Sequence, residues 1–304
     1  MEHITNVTEL QLHNTAVALG KFDGFHRGHQ LLLEQVRNWQ EEGLTGVIFT
    51  FAEAGKSLGV QKRIDSRNEK LRKAETAGID ILLEYPFTKE FSAMEPETFV
   101  TEILIKQLGV KAVAVGKDFR FGRNRKGDTA LLVKLGQQYD FQVMVFDKLM
   151  ENQKEISSSL IRSEIEAGHM EQVSAYMGQG YSVFGEVVHG KELGTAIGIP
   201  TANQWISPEK LLPPFGVYAA RIRWKDQTHY GISNLGCKPT VSDEQLVGLE
   251  TYIFDFQQDI YGEWIEVELL HFIRPERKFT GVEELVAQMQ EDIEQVTKWQ
   301  KGQM

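Results

Sequence analysis

Up to about Gly180 the chain repeats one unit: a short apolar run, a turn, then a segment with apolar residues at helical spacing. TAVAL (15–19) precedes a helical pattern from Gly28 to Gly43, carried by Leu32, Leu33, Val36 and Trp39. TGVIFTF (45–51) precedes EKLRKAETAG (69–78), and IDILLEY (79–85) precedes PETFVTEILIKQLG (96–109). VKAVAV (110–115) precedes a glycine-rich loop and TALLVKLGQQ (129–138), and FQVMVF (141–146) follows. Apolar strands that alternate with helices bury both of their faces, which predicts an α/β domain with a mostly parallel sheet. Such sheets bind ligands in the crevice beyond the carboxyl ends of their strands. GKFDGFHRGH (20–29) lies there, after the TAVAL strand.

Past GQG (178–180) the rhythm changes. YSVFGEVVHG, TANQWIS, GVYAARIRW, THYGISNLG, LETYIFDF and EWIEVELLHFI read as six strands with no helix between them, with hairpin-like links at KDQ (225–227) and QQDIYG (257–262). Six short strands predict a small closed β-barrel. A last helix carries the stripe Val282, Leu285, Val286, Met289, Ile293, Val296 and Trp299, with Glu283, Glu284, Glu291, Asp292 and Glu294 mostly off it. The expected domains are therefore 1–180 and 181–304, a division that 304 residues accommodate.

A net charge of −10 argues against non-specific binding to nucleic acid or to an anionic membrane, so positive charge for anionic ligands must be gathered locally. The single cysteine, Cys237, rules out an internal disulfide framework and fits a reducing compartment. The start has no apolar signal-like region and no apolar run approaches bilayer length, so a cytoplasmic protein is expected.

In GKFDGFHRGH a glycine turn leads into a helix whose N-terminus offers N–H groups and partial positive charge. His26 and His29 can donate to phosphate oxygens, and anionic phosphate would favour their charged forms. Gly28 lets the backbone approach a ligand. Two other readings stand beside phosphate: a metal site, for which no third ligand lies nearby, and two histidines that cap or pack. ISSSLIR (156–162) offers hydroxyls at a helix start followed by Arg162, an anion cup or an ordinary serine cap.

Taken together, GxFDGxHxGH and ISSSxIR resemble the nucleotidyltransferase superfamily, and GKDFRFGRNRKGD (116–128) is similar to a segment of bacterial FAD synthetases. The resemblance implies a Rossmann-like domain that transfers AMP from ATP to FMN and releases pyrophosphate. His26 and His29 would stabilise the charge developing on the attacked α-phosphate, and Ser157, Ser158, Ser159 and Arg162 would hold the ATP phosphates. Gly20, Phe22, Asp23, Gly24, Gly28, Asp118 and Arg120 would complete the nucleotide site by the same resemblance.

In the second half, GKELGTAIGIPTAN (190–203) holds a glycine-rich loop able to cradle phosphates, or simply a long hairpin connection. Thr201 and Asn203, two residues apart, offer hard oxygen ligands suited to Mg²⁺ held mainly by nucleotide phosphates. With GVYAARI, SNLGCKPT, LETYIFDFQQDIYG and FIRPERKF following in order, this half resembles the riboflavin kinase domain of bacterial bifunctional flavin enzymes. The resemblance implies that Glu250 is the general base toward the ribityl 5′-hydroxyl, and that Thr201 and Asn203 hold Mg²⁺–ATP. Gly190, Lys191, Gly194, Gly198 and Asn234 would contact nucleotide or flavin. Riboflavin, FMN, FAD and ATP are the implied small-molecule partners. Four places depart from the family pattern: Lys21, the segment TFAEAG (50–55), Thr195 and Ile199. An enzyme with one of the two activities, or a non-catalytic flavin-binding regulator, is the alternative reading.

Overall fold

The computed structural model describes residues 1–52, 62–190, 199–238 and 246–303. Part of TFAEAG, together with the expected site residues Lys191, Gly194 and Gly198 and the divergent Thr195, lies outside the described residues. The chain forms two compact units, Met1–Gln61 with Lys70–Ser158, and Lys62–Glu69 with Ser159–Met304.

The first unit is built on six parallel strands, β1 (Glu2–Thr5), β2 (Thr15–Leu19), β3 (Thr45–Phe51), β4 (Ile81–Tyr85), β5 (Val110–Gly116) and β6 (Gln142–Phe146), in the order β1-β4-β3-β2-β5-β6. The chain winds outward from β2 through β3 to β4, then crosses back to β5 and β6, so the winding reverses between β2 and β5. That reversal opens the crevice in which such sheets bind ligands. Residue alternation divides the strands between two cores. Val17, Leu19, Val113 and Val115 face one layer, whereas Ala16, Ala18, Ala112 and Ala114 face the other. The small alanines let helix α1 (Arg27–Glu41) lie close, burying Leu32, Leu33, Val36 and Trp39.

The other helices are α2 (Arg67–Thr76), α3 (Lys89–Ser92), α4 (Pro96–Thr98), which runs on as a π-helical stretch Phe99–Gln107, and α5 (Thr129–Tyr139). In the π-helical stretch the N–H of Leu108 donates to the carbonyl of Ile103, five residues back. Strand β1 was not expected: its four residues EHIT hold one large apolar side chain, and it exists by pairing with β4 at the edge of the sheet. A short hairpin, β7 (Met150–Glu151) and β8 (Lys154–Glu155), precedes α6 (Ser158–Ala167).

In the second unit α7 (Met170–Met177) leads into β9 (Tyr181–Glu186), β10 (Ala202–Trp205), β11 (Gly216–Trp224), β12 (Gln227–Lys238), β13 (Leu246–Ile253) and β14 (Trp264–Pro275). They form one antiparallel sheet in the order β10-β13-β12-β11-β14-β9. A bridge between Val188 and Asn203 draws the two edges together, giving a nearly closed barrel. The last helix, α8 (Val282–Gln303), packs Ile293, Val296 and Trp299 on Val217, Ala219, Ile232 and Tyr252 of the barrel wall. Val282, expected in the apolar stripe, is 58% exposed because the packed face begins further along the helix.

Residues 62–69 belong to this unit through a buried ion pair. Lys210 and Glu69 have side chains 1% and 2% exposed, and Lys210 Nζ donates to Glu69 Oε2 and, at 3.0 Å, to the carbonyl of Ile64. Glu69 also accepts from the N–H of Ser66 (2.8 Å) and of Phe184 (3.1 Å). Lys210→Ala leaves this carboxylate buried without its cation, and should cost the second unit about 3–5 kcal/mol. The expected readout is a lower urea midpoint for that unit; an unchanged midpoint would show that the pair contributes little.

Candidate active sites

The turn after β2 is held in a conformation that its residues do not prefer. Phe22 (φ 47°) and Phe25 (φ 44°) lie in the left-handed region beside Gly24 (φ 88°). A non-glycine residue there costs on the order of 1–3 kcal/mol and persists only when its surroundings over-determine it. Here they do. Both phenylalanine rings are buried, 5.8 Å apart, and Phe22 lies 4.9 Å from the ring of His29.

Side-chain donors take up the carbonyls of the turn. Lys21 O accepts from Thr50 Oγ1 at 3.0 Å and from Lys70 Nζ at 3.5 Å. Asp23 O accepts from Ser158 Oγ at 2.9 Å, and Phe25 O from Gln30 Nε2 at 3.0 Å. Oxygens that would repel an anion are thus tied down, while the first turn of α1 brings the partial positive charge of a helix N-terminus.

His26 and His29 stand at that helix start as a stacked pair, ring centroids 3.7 Å apart and planes 19° from parallel. His26 is the N-cap of α1, and its Nδ1 accepts from the N–H of His29 at 3.3 Å. An accepting Nδ1 puts the proton of the neutral ring on Nε2, which is then the donor. Burial pushes His26 from the usual 6.5 down to about 4, against the opposing pull of Asp118. Burial, then the neighbouring charges of His26 and Lys70, hold His29 well below the usual value. Its Nδ1 is buried without a hydrogen-bond partner. Both rings are therefore neutral near pH 7 in the protein as it stands. Gly28 has a second use, since a Cβ there would come within 3.2 Å of the His26 ring.

Because the winding reverses between β2 and β5, the loops after these strands are neighbours, and Asp118 from the second loop acts on His26 from the first. Asp118 pairs with Lys148 at 3.1 Å. Arg120 is exposed and donates to the carbonyl of Phe119. Gly20, Phe22, Asp23, Gly24, Gly28, Ser157 and Ser158 share the first unit with the histidine pair. Ser159 and Arg162 belong to the second unit, where Arg162 donates to the carbonyl of Lys62.

In the second unit the strand register aligns a row of side chains on the outer face of the barrel. Asn203 pairs with Glu250, Glu250 with Asn234, Asn234 with Val217, and Val217 with Arg274. Directly opposed residues of antiparallel strands share a face. Thr201, Asn234, Glu250, Arg274 and Asp292 line one cleft between barrel and α8. Asn203 Nδ2 donates to Thr201 O at 3.2 Å, and Gly190 lies so close to Asn203 that a Cβ would meet its side chain at 2.5 Å. The divergent Ile199 is buried.

In the sequence Asp292 stands among the acidic residues mostly off the apolar stripe of the last helix, with no role assigned to it. It is 1% exposed and takes two hydrogen bonds from Arg274, at 2.8 and 2.7 Å, which hold that guanidinium in the cleft. The pinning residues Thr50, Lys70 and Gln30 were likewise not identified from the sequence, since no short motif marks a side chain that serves a carbonyl far along the chain.

Residues 8–160 match the family model of FAD synthetase, and residues 177–300 that of riboflavin kinase. A bifunctional riboflavin kinase/FMN adenylyltransferase of Listeria monocytogenes is 36% identical over 288 residues, covering 92% of this chain and 90% of that protein. The chain belongs to the bifunctional riboflavin kinase/FMN adenylyltransferase family. The Escherichia coli K12 member is 34% identical over 302 residues, 95% of this chain and 94% of its own length. A crystal structure described as a macrolide-efflux protein of Streptococcus pneumoniae superposes with a TM-score of 0.83 at 30% identity, over 98% of each chain. Among the described residues of this family member no helix is long and apolar enough to cross a membrane.

The depressed His26 has a consequence for stability. The unfolded chain takes up a proton near 6.5 and the folded one near 4, so this contribution is complete above pH 6.5 and lost as pH falls through 4. It amounts to about 3 kcal/mol across that window. His26→Asn, which keeps a capping side chain but cannot titrate, should flatten the fall in melting temperature over that range. Parallel curves for the two proteins would contradict the assignment.

Proposed function

We propose that this chain phosphorylates riboflavin to FMN in its second unit and adenylylates FMN to FAD in its first, with ATP as co-substrate for both. The observation that carries this reading is the presence, in one chain and in the family's order, of both constellations: the stacked histidines on a carbonyl-tied turn, and the row Asn203–Glu250–Asn234 beside Thr201. The adenylyltransferase domain is taken to extend to about residue 180 and the kinase domain to follow it, in a cytoplasmic protein.

In adenylyl transfer a phosphate oxygen of FMN forms a bond to the α-phosphorus of ATP as the bond to pyrophosphate breaks. Nε2 of His26 donates toward the α-phosphate oxygens, and His29 stacks behind it. Charge stabilisation and alignment suffice for such a step, with no covalent intermediate on the protein. Gly20, Phe22, Asp23, Gly24 and Gly28 shape the cradle, with Asp118 and Arg120 in the loop after β5. Ser158 acts through the Asp23 carbonyl, and Ser157, Ser159 and Arg162 are assigned to the ATP phosphates.

In the kinase reaction the carboxylate of Glu250 takes the proton of the ribityl 5′-hydroxyl as that hydroxyl's oxygen forms a bond to the γ-phosphorus of ATP and the bond to the departing ADP breaks. Asn234, on the same face, orients the substrate. The glycines and lysine of the loop 190–198 are assigned to the nucleotide. Mg²⁺ would be bound chiefly through ATP phosphates, with Thr201 and Asn203 supplying hydroxyl and amide oxygens. When bound, Mg²⁺ supplies neutralisation of the phosphate charge.

The purified protein given riboflavin, ATP and Mg²⁺ should yield FMN and then FAD on chromatography; FMN alone would leave a kinase only. Glu250→Gln should reduce FMN formation by about 10²- to 10⁴-fold, the range for loss of a positioned base, and leave FMN-to-FAD conversion intact. His29→Ala should do the reverse. Loss of both conversions in either folded variant would contradict separate sites.

A further inference from the structure

The sequence places Lys70 in an ordinary charged helix, but the fold buries it. Lys70 is 7% exposed beneath the turn after β2, and its ammonium is engaged within the first unit. It lies 3.2 Å from Thr50 Oγ1, 3.5 Å from Lys21 O and 3.6 Å from Glu84 Oε1. Glu84 is shared, since its other oxygen is 3.0 Å from His3 Nε2. A buried ammonium is costly unless it is paired, and this one faces a carboxylate already engaged by a second group.

We propose that Lys70 is a positioning residue for adenylyl transfer: it fixes the Lys21 carbonyl, and its buried charge sets the electrostatic state of the His26–His29 pair that meets the polyphosphate. The inference rests on the functional reading above. Two geometric facts carry it. The Lys21 carbonyl immediately precedes the left-handed Phe22, so holding it holds the start of the strained turn. Thr50, which shares that carbonyl, is itself in contact with Lys70, so the two donors act as one clamp. The charge of Lys70 reaches the His29 ring and opposes its protonation. The same charge attracts the phosphates of ATP in a protein whose net charge is −10. Lys70 from α2 and Asp118 from the loop after β5 act on the pair, and Glu84 of β4, whose other oxygen meets His3 of β1, faces Lys70. The side chain of the divergent Lys21 is exposed, and the clamp uses only its backbone.

The test uses the full chain as wild type, Lys70→Met, Lys70→Arg and Glu84→Gln. Conversion of FMN and ATP to FAD is measured at pH 7.5, and the His29 ring is titrated by NMR on histidine-labelled protein, assigned against His29→Gln. Lys70→Met should lower kcat/KM for ATP by about tenfold or more, and Lys70→Arg should restore most of it. The His29 midpoint should rise by about half a pH unit or more in Lys70→Met and move the opposite way in Glu84→Gln, because removing a like charge and removing its counter-charge have opposite signs. A merely structural lysine would lower melting temperature without moving that midpoint, and would overturn the proposal. So would wild-type kinetics in Lys70→Met. If Lys70→Met does not fold, the shift in Glu84→Gln and the retained activity of Lys70→Arg decide the matter. If the wild type itself makes no FAD, the functional reading fails, while the NMR titrations still read whether Lys70 governs His29.

Discussion

Two phenylalanines in left-handed backbone conformation, Phe22 and Phe25, define the path of the chain as it leaves β2, and the first site depends on that path being held. The helical capping of His26, the stack with His29 and the direction of α1 all follow from where the turn ends. Hydrophobic burial of the two rings holds the turn from one side, and hydrogen bonds to the carbonyls of Lys21, Asp23 and Phe25 hold it from the other. The carbonyl bonds also have an electrostatic effect. They turn the negative ends of those backbone dipoles into protein donors, so that the field beyond the helix start is set by N–H groups, by the histidine Nε2–H and by a buried ammonium.

The second unit solves its problem differently. No strained turn is needed, because antiparallel register alone sets Asn203, Glu250, Asn234 and Arg274 in a row across adjacent strands. The helix α8 covers the wall beside that row, and its buried Asp292 fixes Arg274 at the cleft. One site is thus positioned by a pinned loop at the end of a parallel sheet, the other by strand pairing on the face of a barrel. In both, the groups nearest the expected ligand are held by side chains that do not themselves face it.

The parallel strands could be read directly, because TAVAL and VKAVAV carry continuous apolar runs whose alternate residues serve two cores. The barrel strands were visible as short runs joined by hairpin-like links, with no helical spacing between them. Strand β1 was hidden, since a short edge strand such as EHIT is stabilised by its partner and not by its own pattern. The π-helical course of Phe99–Gln107 was also hidden, as apolar spacing near 3.6 residues does not distinguish it from an α-helix. The histidines, Ser158 and Glu250 could be found because they stand in short motifs. Lys70, Thr50 and Asp292 could not, because burial decides their roles, and a lysine or aspartate in a charged helix looks like a solvated residue until the fold encloses it.

The central claim is that the turn after β2, with its carbonyls tied away, receives the phosphates of ATP. Hydrogen–deuterium exchange of the full chain, with and without a non-hydrolysable α,β-methylene analogue of ATP and Mg²⁺, tests it most directly. The account predicts slowed amide exchange in peptides spanning residues 20–30, in those of the loop after β5 and in those spanning Ser157 and Ser158, with the other peptides of the first unit unchanged. Protection confined to other parts of that unit, with the 20–30 peptides exchanging as in the free protein, would contradict it.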